Sequence, residues 1–285
     1  MDQTLLAILL SLFSAVTLAA ANMFVKMGSD ILVTRAAVSC SAALIVLPLA
    51  FLIPAPDSAT WLALALTVPA HFVYQLCLVN ALGRGDLSLV FPMMRGAAPL
   101  LTALVALVVL DEALAPLAWV GLILATLSVV AFVLPPKGIG FREHPHVAAI
   151  AWAAATAVAI AVYNVTDARG VRIAPEPVTF IVWLFLLDCV PITLTALLRR
   201  PGLPARLKAV ARQGLAAGAL SVASFGAGVY AFSFTEAAKV SALRETSVVF
   251  AALLGHRFLG ESFGGRRVAA ALVLAAGLVL MQFGG

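Results

Sequence analysis

Long apolar stretches, separated by short polar joins, fill almost the whole of this chain. Each is close to the ~20 residues that an α-helix needs to cross the hydrocarbon core of a bilayer. The stretches are continuously apolar, whereas strands of a membrane barrel alternate. The pattern therefore predicts an all-α polytopic membrane protein with ten transmembrane segments. They cover residues 4–23, 33–53, 60–82, 87–110, 116–134, 147–166, 177–198, 210–234, 239–259 and 266–284.

The composition agrees with this pattern. Hydrophobic residues make up 63% of the chain and charged residues 11%, and the mean hydropathy is +1.10, so little sequence remains for a domain outside the membrane. The three cysteines, Cys40, Cys77 and Cys189, all fall in apolar segments and are odd in number. They indicate neither a disulfide framework nor a metal site, and we expect no cofactor.

The sequence contains an internal repeat. The interval from Arg95 to Glu112 is the same as that from Arg244 to Glu261, and each interval joins an arginine inside an apolar stretch to a carboxylate at its end. The same shift superposes Ala103 on Ala252, Leu104 on Leu253 and Leu110 on Leu259. We therefore predict two five-helix repeats, residues 1–139 and 140–285, in one integrated transmembrane domain.

An odd number of segments in each repeat has a topological consequence. The second repeat must enter the membrane from the opposite side, so the two repeats are predicted to be inverted. Secondary transporters built from inverted repeats bind substrate near the midplane, where the repeats meet. Inversion places Arg95 and Arg244 on opposite sides of that midplane, which suits alternating access.

Segment four carries Arg95 between Pro92 and Pro99. An arginine at the centre of a membrane helix costs roughly 2.5 kcal/mol or more, so it must face the interior of the bundle. Proline removes backbone hydrogen bonds, and the pair predicts a broken or kinked helix of the kind that lines transporter sites. In segment nine, Arg244 and Glu245 are adjacent and do not face each other, so we expect them to have different partners.

Segment three has a polar face. His71, Tyr74, Gln75 and Leu78 follow helical i, i+3, i+4, i+7 spacing, which places them on one side of the helix. This face should point inward because lipid disfavours it. Two roles stay open for these residues, lining a cavity or joining helices by hydrogen bonds.

Further polar residues suggest a coupling site and close packing. Asp188 is interpreted as the one carboxylate near the centre of a segment; it is a candidate for proton coupling, or it satisfies a neighbouring donor. Segment eight is rich in glycine, so a neighbouring helix or a ligand can approach its backbone. Segments five and ten consist of small and aliphatic residues and are interpreted as packing or dimerisation helices.

The net charge of +5 does not indicate nucleic-acid binding, because the basic residues are spread over loops. They predict an orientation instead, with the richer set of loops in the cytoplasm and both termini outside. The richer set comprises Lys26, Arg35, Arg84, Lys137, Arg142, Arg199, Arg200, Arg206, Lys208, Arg212, Arg257, Arg266 and Arg267, and the poorer set comprises Arg169, Arg172 and Lys239.

The repeat units resemble a known family. Residues 81–114 and the related stretch 233–263 are similar to the drug/metabolite transporter superfamily, specifically its EamA-like ten-helix proteins, and most of all to bacterial aromatic amino-acid exporters. The resemblance implies a multi-pass protein of the bacterial inner membrane, a central cavity lined by segments 1, 3, 4, 6, 8 and 9, broad selectivity and no ATP. It also implies cytoplasmic termini, against the Lys/Arg count. The protein is expected to be a monomer or a homodimer.

A broad amino-acid transporter needs a cation, a few neutral polar groups and a roomy apolar wall. Arg95 and Arg244 are candidates for binding the carboxylate or for gate pairs. The other candidate substrate-binding residues are Asn22, His71, Tyr74, Gln75, Leu78, Trp152, Tyr163, Asn164, Phe225, Tyr230 and Ser247.

Other functions compete with amino-acid export. They are antiport of phosphorylated or other anionic metabolites, a channel, and a membrane-embedded enzyme, for which no catalytic cluster is visible in the sequence. For Arg95→Ala the hypothesis is loss of efflux with intact expression. If Arg95 is instead structural, stability and transport should fall together.

Overall fold

The computed structural model describes residues 3–133, 147–259 and 265–283, and within these ranges the regular structure is entirely helical. A 3-10 turn at Leu47–Phe51 extends α2. The helices are α1 Gln3–Lys26, α2 Ile31–Val46, α3 Ser58–Leu82, α4 Leu87–Gly96, α5 Ala98–Val109, α6 Pro116–Val133, α7 Val147–Ile173, α8 Pro177–Arg199, α9 Leu203–Ala209, α10 Ala211–Ala231, α11 Ala237–Arg244, α12 Ser247–Leu259 and α13 Gly265–Phe283.

Within the described ranges, six helices are long and apolar enough to cross a membrane: α1, α2 with its 3-10 extension, α3, α7, α8 and α10. They match the first, second, third, sixth, seventh and eighth predicted segments. Predicted segments four and nine are each split into two helices, and the apolar parts of α6 and α13 are shorter. The structure thus supports a multi-pass membrane protein, and the count of ten spans stays a prediction.

Two helix breaks lie beside the intramembrane arginines. Segment four divides at Ala97, two residues after Arg95, with a proline in the first turn of α5, which confirms the predicted break. Segment nine divides at Glu245 and Thr246, directly after Arg244. This second break has no proline to announce it; the Thr246 hydroxyl instead donates to the carbonyl of Leu243, a local bond that competes with helix continuation.

The two halves of the chain are interleaved. Helix α1 packs on α10 and α3 packs on α7, while α2 meets α8 and α6 meets α13. Helix α4 contacts α12 and α5 contacts α11. The first part of one broken helix therefore lies beside the second part of the other, and the two run antiparallel.

Glycines set the close approach of α6 to α13. A Cβ added at Gly121 would lie 2.5 Å from the carbonyl oxygen of Gly277, and one added at Gly277 would lie 2.8 Å from that of Gly121. The structure thus assigns segments five and ten to packing against each other. On α10, Gly214 and Gly218 make room for α2 in the same way.

We expect Gly121→Ala to destabilise the protein by about 1–3 kcal/mol, because backbone atoms of α13 occupy the space of the new methyl group. Gly226→Ala is the matched control, since nothing lies within 4 Å of a Cβ at Gly226 and alanine favours a helix over glycine. Thermal unfolding of both variants in detergent measures the difference. Equal melting temperatures would show that α6 and α13 are not tightly packed.

Two boundaries differ from the sequence-based prediction. Helix α7 continues to Ile173 rather than ending near residue 166, and this places Asp167 in the fully buried interior. Arg35 is counted with the cytoplasmic loop charges although it falls at the start of predicted segment two; it lies inside α2 and is buried. Both errors arise because a buried partner lets a charged side chain sit within a membrane helix. Arg35 therefore drops out of the charge count used for orientation.

Candidate functional site

A buried ion pair joins the two helix breaks. Nη2 of Arg95, at the end of α4, lies 2.9 Å from Oε1 of Glu245, in the break between α11 and α12. The two side chains are 2% and 0% exposed. The carboxylate of Glu245 neutralises the charge of Arg95. Because the two residues come from different halves of the chain, the pair also ties the two broken helices together.

Arg244 has no such acidic partner. Its guanidinium lies over the ring of Phe225, with Cζ 5.0 Å from the ring centroid, and the residue is only 1% exposed. Among the described residues, no carboxylate lies within ion-pair distance of it. Gly228 makes room for this arginine, because a Cβ there would be 3.0 Å from its Nε and Cζ.

Unpartnered polar atoms gather around these arginines. Among the described residues, several fully buried atoms lack a hydrogen-bond partner, although such atoms are rare in folded proteins. They are Nε and Nη2 of both Arg95 and Arg244, the two carboxylate oxygens of Glu245, Oγ of Ser247, the hydroxyl of Tyr163 and Oδ1 of Asn164. Each carries an unused hydrogen-bonding capacity of the kind that a polar ligand satisfies.

Asn164 connects the site to both broken helices. Its side-chain nitrogen donates to the hydroxyls of Thr102 on α5, at 3.2 Å, and Ser241 on α11, at 3.0 Å. These two bonds fix the amide, so its oxygen is the atom left without a partner. The arrangement presents a hydrogen-bond acceptor from α7.

Aromatic rings form a wall beside the charged groups. The rings of Tyr163 and His71 have centroids 4.4 Å apart, and Tyr163 also contacts Tyr74 at 5.0 Å and Phe225 at 6.0 Å. His71 is held by Asp167, whose carboxylate oxygens lie 3.0 and 3.1 Å from Nε2. The wall thus combines α3, α7 and α10.

A polar cleft lies beyond this wall, between α2, α3, α8 and α10. The side-chain oxygen of Gln75 accepts hydrogen bonds from Arg35 and Ser39, and its nitrogen donates to Asp188 at 2.7 Å. The open space of the cleft is about 20 Å³, enough for roughly one water molecule. The lining residues are Arg35, Val38, Ser39, Ala42, His71, Leu184, Phe185, Asp188, Ser221 and Phe225.

Polar contacts hold helices together at each end of the bundle, and at one end they cross between the halves. At one end Glu112 pairs with Arg172 at 2.6 Å and accepts a hydrogen bond from the backbone nitrogen of Ala237. At the other end Nζ of Lys26 donates to the carbonyls of Leu82 and Gly85, both at 2.7 Å. Glu261, the repeat counterpart of Glu112, lies outside the described residues.

Most of the predicted site residues are brought together by the fold. The segment-three face is buried, as predicted, with Leu78 packed in the hydrophobic core. For three candidates the observed contacts are with residues other than Arg95 and Arg244. Asn22 bonds only to the carbonyl of Leu18 in its own helix, Trp152 lies 5.8 Å from the guanidinium of Arg84, and Tyr230 packs against Phe234.

Sequence reasoning missed several residues of the site. Asp167 follows Tyr163 and Asn164 at i+4 and i+3, so the helical spacing that identified the face of segment three would have found it had segment six been extended. Arg35 and Thr102 have no such local signal, because their partners lie far along the chain. Asp188 is one of three carboxylates buried among the described residues, with Asp167 and Glu245.

Comparison with known proteins adds independent information. Residues 147–283 match the EamA-like transporter family. No curated protein matches the chain. A protein of known crystal structure, one of 28 matching chains, is similar over 100% of this chain and 99% of its own length, with a TM-score of 0.71 and 21% identity. At that identity the structural match shows the fold alone. The match over residues 147–283 covers just under half of the chain, and this EamA-like similarity supports a transporter of the drug/metabolite transporter superfamily.

Proposed function

We propose that this protein is a secondary transporter that exports amino acids, aromatic and other neutral ones, through a central site. The family match supports transport of a small molecule across a membrane. The observation that carries the finer proposal is Arg244, a fully buried cation without an acidic partner among the described residues, surrounded by unpartnered polar groups. A buried charge of this kind is costly unless a ligand pairs with it.

An amino acid matches the groups at this site. Its carboxylate can accept two parallel hydrogen bonds from the guanidinium of Arg244. Its ammonium can donate to Oε2 of Glu245 and to Oδ1 of Asn164, which are both free. Its side chain then meets the rings of Tyr163 and Phe225, which tolerate different apolar groups.

Alternating access is the transport mode that we infer. Antiparallel contact between the two broken helices supports the inverted repeats, and the Glu112–Arg172 pair and the Lys26 contacts are candidates for gates at opposite ends. Breaking the Glu112–Arg172 pair would separate the halves at one end, and breaking the Lys26 contacts would free α1 from the end of α3 at the other, while the central site keeps its place. We expect the protein to reside in the bacterial inner membrane.

Anionic metabolites remain the second candidate, and Arg244 is the observation that favours them. Glu245 already neutralises Arg95, so the two arginines offer one uncompensated positive charge. One guanidinium suits a carboxylate, whereas a dianionic phosphate needs several converging cations. The geometry therefore favours amino acids over sugar phosphates.

Vesicles containing the purified protein distinguish these functions. We expect counterflow of labelled neutral amino acids, with aromatic ones among them, and no exchange of sugar phosphates. Vesicles with the Arg244→Gln variant are the control for leakage. Exchange of sugar phosphates without amino-acid counterflow would contradict the proposal and select the second candidate.

Asp188 is proposed as a proton-coupling residue because it lines the polar cleft beside His71. We expect Asp188→Asn to keep amino-acid counterflow but lose uphill efflux driven by a pH gradient, since an amide cannot carry the proton. Ser221→Ala, which alters the same cleft without removing a titratable group, is the control. If Asp188→Asn kept gradient-driven efflux at the wild-type rate, Asp188 would have no role in proton coupling. It would then serve only to accept the hydrogen bond from Gln75.

A further inference from the structure

A groove at one end of the bundle brings arginines from both halves of the chain together. It lies where the α1–α2 loop, the end of α3 and the end of α8 meet. Its lining residues are Ser29, Asp30, Ile31, Leu32, Leu76, Val79, Asn80, Gly83, Arg84, Arg199 and Arg200. Its three arginines have no role in the proposed transport mechanism, although α3 also carries residues assigned to substrate binding.

The groove carries an excess of positive charge. Asp30 pairs with Arg200 through Nε, whereas no carboxylate of the described residues lies within ion-pair distance of Arg84 or Arg199. Partial burial acts to raise the pKa of Asp30, but the hydrogen bonds from Arg200 and from the backbone nitrogens of Val33 and Leu32 outweigh it and lower that pKa. Asp30 thus stays ionised, and three arginines against one aspartate leave two positive charges.

Arg84 is held in place at the mouth of the groove. Its Nη1 donates to the carbonyl and the side-chain oxygen of Asn80, at 3.0 and 2.6 Å, and its guanidinium lies near the ring of Trp152. These partners are neutral, so they orient the cation without compensating its charge. An anion entering the groove meets a positioned guanidinium.

The remaining wall of the groove is apolar and lies beside exposed leucines of α8. Ile31, Leu76 and Val79 line it, and the neighbouring Leu197 and Leu198 of α8 are 57% and 77% exposed on a membrane-spanning helix. A charged rim above an apolar wall matches a molecule with an anionic head and an acyl chain. The Lys/Arg count places this end on the cytoplasmic side, where anionic lipids attract basic segments.

We propose that this groove binds the headgroup of an anionic glycerophospholipid, with its phosphate on Arg84 and Arg199 and its acyl chain along Ile31, Leu76 and Val79. The two uncompensated charges favour a headgroup with two negative charges, as in a lipid with two phosphodiester groups. The bound lipid would bridge α3 of the first half and α8 of the second.

Native mass spectrometry of the full-length protein in detergent tests this site with cardiolipin, phosphatidylcholine and soluble glycerol 3-phosphate as probes. We expect cardiolipin to remain bound and the other two probes to dissociate. Arg84→Gln combined with Arg199→Gln should weaken cardiolipin binding about 30-fold. Each basic residue near an anionic membrane surface contributes about 1 kcal/mol to binding, and every 1.4 kcal/mol is about tenfold in affinity.

The matched control is Lys208→Gln combined with Arg212→Gln, which removes the same charge from exposed residues outside the groove. We expect this control to bind cardiolipin within about twofold of wild type. Equal weakening in both double variants would overturn the site, because attraction would then follow net charge alone. Retention of glycerol 3-phosphate as firm as that of cardiolipin would overturn the assignment to a lipid.

Discussion

Arg244→Gln should lower amino-acid counterflow by about 100-fold or more while leaving the melting temperature at or above that of the wild type. Hydrogen bonds to a charged group contribute about 1.5–3 kcal/mol each, and the variant loses two of them to the substrate carboxylate. Stability should not fall, because the substitution removes a buried cation that has no acidic partner among the described residues. Counterflow in vesicles and thermal unfolding in detergent measure the two effects.

Two further variants separate charge from geometry at this position. Arg244→Lys keeps the charge but replaces a planar fork with a compact ammonium, so we expect partial activity. Gly228→Ala keeps Arg244 itself and places a methyl group 3.0 Å from its guanidinium; displacement of the arginine should then lower affinity for the substrate. Full activity of a stable Arg244→Gln would remove this residue from substrate binding.

Arg95→Ala should destabilise the protein by about 3–5 kcal/mol, because it leaves Glu245 buried without its counter-charge. Of the two sequence-based hypotheses for Arg95→Ala, the ion pair favours the structural one, in which stability and transport fall together. The structural reason is the Arg95–Glu245 pair, with both side chains excluded from solvent. Urea or thermal unfolding beside counterflow measures the combined loss.

The double variant Arg95→Met with Glu245→Leu tests this explanation. Replacing a buried ion pair with apolar residues of similar volume is often neutral or stabilising, so stability should return. Transport should stay low, since Oε2 of Glu245 is proposed to bind the substrate ammonium. A double variant as unstable as Arg95→Ala would show that Arg95 supports the fold through contacts other than Glu245.

Local pattern was sufficient for the features that depend on helix geometry alone. The spacing of His71, Tyr74 and Gln75 identified an inward face because residues three and four apart lie on the same side of a helix. Proline chemistry predicted the break in segment four. The cost of an arginine in lipid placed Arg95 and Arg244 inside the bundle.

Partners distant in the chain were beyond these rules. Nothing local distinguishes Arg35 inside α2 from a loop arginine, because its burial depends on Gln75 of α3. The interior position of Asp167 depends on His71 in the same way. A charge ends a hydrophobic segment in a sequence pattern, whereas a partner across the bundle lets the helix continue.

The sequence by itself determined the membrane class, the helical fold, the repeated arginines and the inward face of segment three, because each follows from hydropathy, spacing or the cost of burying charge. Only the tertiary structure decided that Glu245 neutralises Arg95 and leaves Arg244 without an acidic partner among the described residues. Adjacent residues on a helix have different neighbours: Glu245 meets Arg95 of the other half, whereas Arg244 lies over Phe225 of its own half. The role of each arginine is therefore set by packing that no local pattern shows.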